Sequence, residues 1–128
     1  MTIEPTTDHD VIRKVCGDLP MPDYSLWVDK ITVLVAKEDE DPKMGMLLVG
    51  PEYTETGQTE AHIHMPTPFS GAIEACAGFK RWVSENTPLK QVWSYAVDKK
   101  TFRFAKAFGF NHAFDLNGKQ FLVLNITR

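Results

Sequence analysis

An α+β fold is what the sequence predicts, from three observations. Short runs rich in β-branched residues recur along the chain, stretches with helical apolar spacing lie between them, and turn residues separate the two kinds. Taken in order they read strand, helix, a second short helix, three strands, helix, strand, helix and two closing strands. At 128 residues the chain has the usual size of one domain, so residues 1–128 are expected to share a single core.

Residues 2–5 read as an opening strand. Thr7 and Asp8 then offer an N-cap to a helix with Val11, Ile12 and Val15 on one face, which Gly17 is expected to stop. Pro20 and Pro22 stiffen a turn at 19–23, and a short helix over 23–28 is expected to follow, the pair forming a lid or wall. Residues 31–36 and 44–49 form a hairpin about an acidic turn at 37–42, whose spacing matches no calcium loop and which is read as solvated charge.

Residues 58–65 make a third strand, and the period of two puts Glu60, His62 and His64 on one face. Pro66 and Pro68 break it. Ser70 is the expected N-cap of a helix that places Phe69, Ile73, Cys76, Phe79 and Val83 close to one face. Residues 91–97 are a further strand, Asp98 caps a helix running through Phe108, and Gly109 takes its C′ position. Asn117-Gly118 is a strong hairpin signal between the last two strands.

Composition excludes several classes of function. Apolar residues make up 43% and charged residues 24%, the balance of a globular chain. The net charge of −3 is spread without a basic block, so no nucleic-acid partner is expected, and the aromatic residues of the second half are read as core. No apolar run approaches the roughly 20 residues that cross a bilayer, and no signal peptide opens the chain, so no membrane partner and a cytoplasmic location are expected. Cys16 and Cys76 form no paired motif and read as packed thiols. The apolar run Phe121-Leu122-Val123-Leu124 implies a strand covered on both faces or paired across a subunit boundary, which leaves room for a homodimer.

Residues 98–110, running from Asp98 through Arg103, Ala105 and Phe108 to Gly109-Phe110, together with the strand before and the hairpin after, resemble the strand-to-helix segment of the GNAT acetyl-coenzyme-A-dependent N-acetyltransferases. The element order matches that family over nearly the whole chain. The resemblance implies a mixed, mostly antiparallel sheet of six or seven strands flanked by three or four helices. It implies acetyl-CoA as cosubstrate, no metal, and direct acyl transfer to a small-molecule or protein amine acceptor. The segment is also similar to short GNAT-like proteins of tailed bacteriophages, which implies an alternative: a catalytically inactive structural or interaction module, virion-associated, in a phage-infected rather than simply bacterial cell.

Carried onto this sequence, the family's carboxylate base falls on Glu60, with His62 or His64 as substitutes of suitable pKa. The coenzyme site falls on Met65, Phe69, Ser70, Gly71, Ala72, Asp98 and Arg103, centred on a helix N-terminus whose free N–H groups suit a phosphate. The small Gly71-Ala72 pair is expected to let the ligand come close. Two departures stand out. The loop pattern of Arg or Gln, two residues, Gly, one residue, then Gly or Ala is not recovered over 66–71. Ala105 also stands where the family has its tyrosine acid, so Tyr95 or Tyr24 takes that role. A metal held by Glu60, His62 and His64 lacks a fourth ligand and is not expected.

Overall fold

The computed structural model describes residues 1–17, 30–51 and 55–126. The proposed lid at 19–24, including Tyr24, and the short helix at 23–28 lie outside the described residues. The elements are β1 (Thr2–Thr6), α1 (His9–Cys16), β2 (Ile31–Glu38), β3 (Asp41–Val49), β4 (Gln58–His64), α2 (Ala72–Asn86), β5 (Gln91–Ala96), α3 (Lys99–Phe108), β6 (Asn111–Leu116) and β7 (Lys119–Asn125). The seven strands form one sheet in the order β1-β2-β3-β4-β5-β7-β6, antiparallel throughout except where β4 lies beside β5. No helix among the described residues is long and apolar enough to cross a membrane.

Each helix starts or stops for a local chemical reason. The Asp8 carboxylate accepts the N–H groups of Asp10 (2.9 Å) and Val11 (3.3 Å), and Gly17 ends α1 at φ 64°. Helix α1 buries Ile12 and Val15, and Ile12 packs with Ile31, Val33 and Leu47 on one face of the sheet. It approaches so closely that a Cβ on Gly45 would lie 2.7 Å from Val15 and 2.8 Å from Cys16. Helices α2 and α3 cover the opposite face, where Phe79, Val83 and Phe108 meet Leu34, Met46, Ala61, Val92 and Leu122. Phe108 sits at the centre of an aromatic cluster, 6.3 Å from Phe79, 5.8 Å from Phe110 and 6.4 Å from Phe104.

Four expectations change. The β2–β3 hairpin is tighter than the acidic stretch implied: both strands run into it, leaving Asp39 (φ 52°) and Glu40 (φ 66°) as a two-residue turn. Ser70 does not cap α2, because Gly71 holds that position and no side chain bonds the first turn. Ile73 is 84% exposed; it lies about 120° round the helix from Phe79, outside the stripe set by Ala75, Phe79 and Val83. In β7, Leu122 and Leu124 are buried, but Phe121 and Val123 on the other face are half-buried, so within the chain the run is fully covered on one side, against the first of the two arrangements expected. The final hairpin turns on Asn117 (φ 52°) and Gly118 (φ 77°), the left-handed pair that this dipeptide favours.

Phe79 is fully buried and touches both α3 and the sheet. Phe79→Ala is expected to cost about 3–5 kcal/mol, read as a lowered urea midpoint with little change in slope.

Candidate active site

The parallel ladder between β4 and β5 has three rungs, Gln58↔Gln91, Thr59↔Val92 and Glu60↔Trp93. Both strands then continue without pairing to each other, to His64 and Ala96. Each keeps its outer partner: His64 stays paired with Gly45 of β3, and Ala96 with Gln120 of β7. The facing edges of Ala61–His64 and Ser94–Ala96 therefore present backbone groups that the sheet itself does not satisfy. A cleft of about 340 Å³ opens beyond them, between Ile63, His64, Met65, Pro66 and Pro68 on one side and Lys100, Thr101 and Phe104 of α3 on the other. A void of about 30 Å³, room for a water, lies deeper between Ile63, Ser94, Tyr95, Thr101, Phe104 and Ala105.

On the α1 side of the sheet the same parting is flanked by Glu60, His62 and Tyr95. His62 Nε2 is hydrogen-bonded to the Glu60 carboxylate. A carboxylate accepts, so Nε2 is the donor in this pair, and the other ring nitrogen, Nδ1, is the acceptor whenever the ring is neutral. The Tyr95 ring stands edge-on to His62, 5.8 Å between centroids, and the Lys119 ammonium lies 4.4 Å above the Tyr95 ring. His64 follows the same alternation but packs against Gly17 at the end of α1, and burial pushes its pKa below the usual imidazole value. The structure thus brings Glu60, His62 and Tyr95 together and leaves His64 at the cleft. Among the described residues no group of three or more His, Cys, Asp or Glu side chains is arranged to hold a metal.

The expected coenzyme residues divide. Met65 lines the cleft, Phe69 packs against the core, and Ser70 and Gly71 lead into α2, where the Ala72 N–H donates to the Phe69 carbonyl at 3.3 Å. Gly71 does not leave the close approach expected of it, since the place of its missing Cβ is walled by Met1 at 2.6 Å, Glu38 at 2.8 Å and Phe69 at 3.1 Å. Asp98 is occupied as the cap of α3, accepting the Thr101 N–H at 2.7 Å; that bond holds its carboxyl below the usual range. Arg103 is exposed and does not line the cleft, whereas Lys100 does.

Sequence reasoning missed Ile63, Lys100, Thr101 and Phe104. The signal was present in Asp98: once it is the N-cap, residues 100, 101 and 104 share the side of α3 that faces the preceding strand's end. Both thiols are withdrawn, with burial pushing Cys16 up to about 12 and Cys76 up to about 11.

No protein-family model matches the chain, and no curated protein matches it by sequence. Solved structures do match. A spermidine N-acetyltransferase SpeG F149A mutant from Vibrio cholerae superposes with TM-score 0.70 at 13% identity, covering 98% of this chain and 95% of that one. The N-acetyltransferase PseH of Campylobacter jejuni gives 0.69 at 10% identity, covering 98% of each chain. This chain has the GNAT fold. A GNAT family acetyltransferase from Elizabethkingia anophelis with acetyl-CoA bound gives 0.65 at 14% identity over 97% of each chain. In this GNAT fold the three helices and seven strands of the described residues fall within the six or seven strands and three or four helices expected.

The capping bond favours ionised Asp98, so the group titrates below its ordinary 3.8 in the native state. Its stabilisation is present above that ordinary value and lost as pH falls through the lowered native one. Asp98→Ala should therefore melt below the parent protein at neutral pH, and the gap between their Tm values should close in acid.

Proposed function

We propose that the chain is an acyl-CoA-dependent N-acyltransferase, moving an acetyl or other acyl group to an amine by direct attack. The observation that carries this reading is the parting of β4 from β5 after Glu60 and Trp93, with an apolar cleft on one face and the Glu60–His62 pair on the other. The acetyl-CoA present in the Elizabethkingia neighbour accords with it.

The residues fit such a coenzyme. An extended arm bearing amides can add to the unpaired edge of β4 as another strand would. Ile63, Met65 and Phe104 suit its methylenes, and Lys100 suits its phosphates. The first turn of α2, bonded by no side chain, adds N–H donors and the positive end of a helix dipole. Pro66 and Pro68 add no N–H donors, which leaves Thr67 and the residues from Phe69 onward.

The bound thioester supplies the acyl group. His62 Nδ1 takes the proton from the acceptor's ammonium, and Glu60 is the positioning residue that fixes the ring through Nε2. The acceptor nitrogen bonds to the acyl carbon and sheds its second proton as the carbon–sulfur bond breaks, and the departing thiolate gains a proton to leave as the free thiol. Tyr95, whose ring stands edge-on to His62, passes this proton on, giving its own to the sulfur and taking the nitrogen's in return. A non-catalytic binding module is the second reading, favoured by one observation: Ala105 brings no phenol to the void, where the α3 hydroxyl is that of Thr101.

Thermal denaturation with millimolar acetyl-CoA checks the coenzyme: Tm rises if it binds the native state, and no rise at saturation sinks the acyltransferase reading. His62→Ala should lower kcat by about a hundredfold or more, the usual loss of a general base, in an assay of released thiol. Glu60→Gln should lower kcat by a smaller factor, since the amide oxygen still accepts from Nε2 while the negative charge behind the ring is lost. Coenzyme-induced stabilisation without turnover in the parent protein would favour the second reading.

A further inference from the structure

We propose that the acceptor is a monoamine carried by an aromatic ring, seated on the wall formed by Trp93, Tyr95, Phe114 and Phe121; this rests on the acyltransferase reading above. These rings form a continuous surface on the His62 side of the sheet. Phe121 stacks on Phe114 at 4.9 Å and lies 6.1 Å from Trp93 and 5.9 Å from Tyr95. Phe114 is 53% exposed, and the other three are half-buried, so the cluster keeps apolar area in contact with solvent that folding alone would cover.

The wall leads away from the proposed base. Glu60 faces Trp93 across the last rung of the ladder, and His62 meets the edge of Tyr95. Beyond Trp93 lies a groove of about 380 Å³, lined by Trp93, Phe114, Phe121 and Val123, with Gln58 and Gln91 at its end. That volume lies within the roughly 300–1,000 Å³ of small-molecule sites, and the ring separations are those at which aromatic pairs attract. An amine nitrogen at His62 thus has an aromatic floor beside it.

Charge narrows the class further. Strands β4, β5, β6 and β7 carry two carboxylates, Glu60 and Asp115. Asp115 accepts from His112 Nε2 at 2.7 Å, and His112 stands against Phe102 of α3, on the opposite side of the sheet. Among these strands Glu60 is therefore the carboxylate on the aromatic face. The cation already there, Lys119 above Tyr95, repels a second positive charge on the acceptor. On the described strands a linear polyamine meets one carboxylate and one opposing ammonium, while an arylalkylamine meets a partner for each of its parts.

The test compares phenethylamine with spermidine, by saturation-transfer NMR without coenzyme and by thiol release with acetyl-CoA. Phenethylamine should bind through its ring protons and be acetylated with kcat/KM at least about tenfold above spermidine. Phe114→Ala, at a half-exposed position that tolerates truncation, should raise the phenethylamine KM about threefold to tenfold, the size of one lost aromatic contact. Lys119→Glu should shift the preference toward spermidine. Equal or better use of spermidine, or a Phe114→Ala variant with unchanged KM, overturns the proposal. If acetyl-CoA stabilises the protein and neither amine binds, the aromatic acceptor fails alone; if acetyl-CoA gives no stabilisation, the acyltransferase reading has failed first.

Discussion

The structure depends on a parallel strand pair that is allowed to come apart. Three rungs join β4 to β5, and the two strands then diverge with backbone groups facing a gap. Unpaired backbone in a sheet interior is costly, so the divergence must be held from outside. It is held by the outer neighbours: β3 keeps β4 through His64, and β7 keeps β5 through Ala96. Phe104 and Thr101 of α3 stand at the mouth, between the ends of the two strands.

This arrangement gives the sheet two halves and the protein two chemically distinct faces that meet at the gap. One face is built by α2 and α3, whose aromatic cluster around Phe108 closes the core. The other is covered by α1 over β2 to β4, where Gly45 lets the helix lie against the backbone. Beyond β4 that second face turns from aliphatic to aromatic and polar: Glu60, His62, Trp93, Tyr95 and Phe121 follow one another across the register. A coenzyme arm entering from one face and an amine resting on the other would meet at the parting, the spatial condition for direct transfer.

Much of the fold was legible because local chemistry announces it. Asp8, Asp98, Gly109 and Asn117-Gly118 each do what their side chains or their tolerance of positive φ require, and the structure finds them in those roles. The errors fell where local signals compete. Ser70 is a good cap by type, but α2 begins at Ala72, and the helix phase is set by Phe79 and Val83 packing on the sheet. The acidic stretch at 37–42 looked like a loop, yet its ends are drawn into strands: Lys37 pairs with Glu4 at 2.8 Å, and Asp41 is held by Lys14 at 2.7 Å and Lys43 at 3.0 Å.

The sequence by itself determined which residues share a face, because alternation in β4 requires Glu60, His62 and His64 to project alike. It also determined that a helix starts at Asp98, and hence where Lys100, Thr101 and Phe104 lie relative to it. Only the tertiary structure decided that His62 joins Glu60 while His64 turns to Gly17, that Tyr95 comes from another strand to meet the pair, and that the glycine at 71 is walled in by Met1 and Glu38. Periodicity describes one strand or helix at a time; register between β4 and β5, and the point at which that register is abandoned, arises from the packing of β3, β7 and α3 on either side.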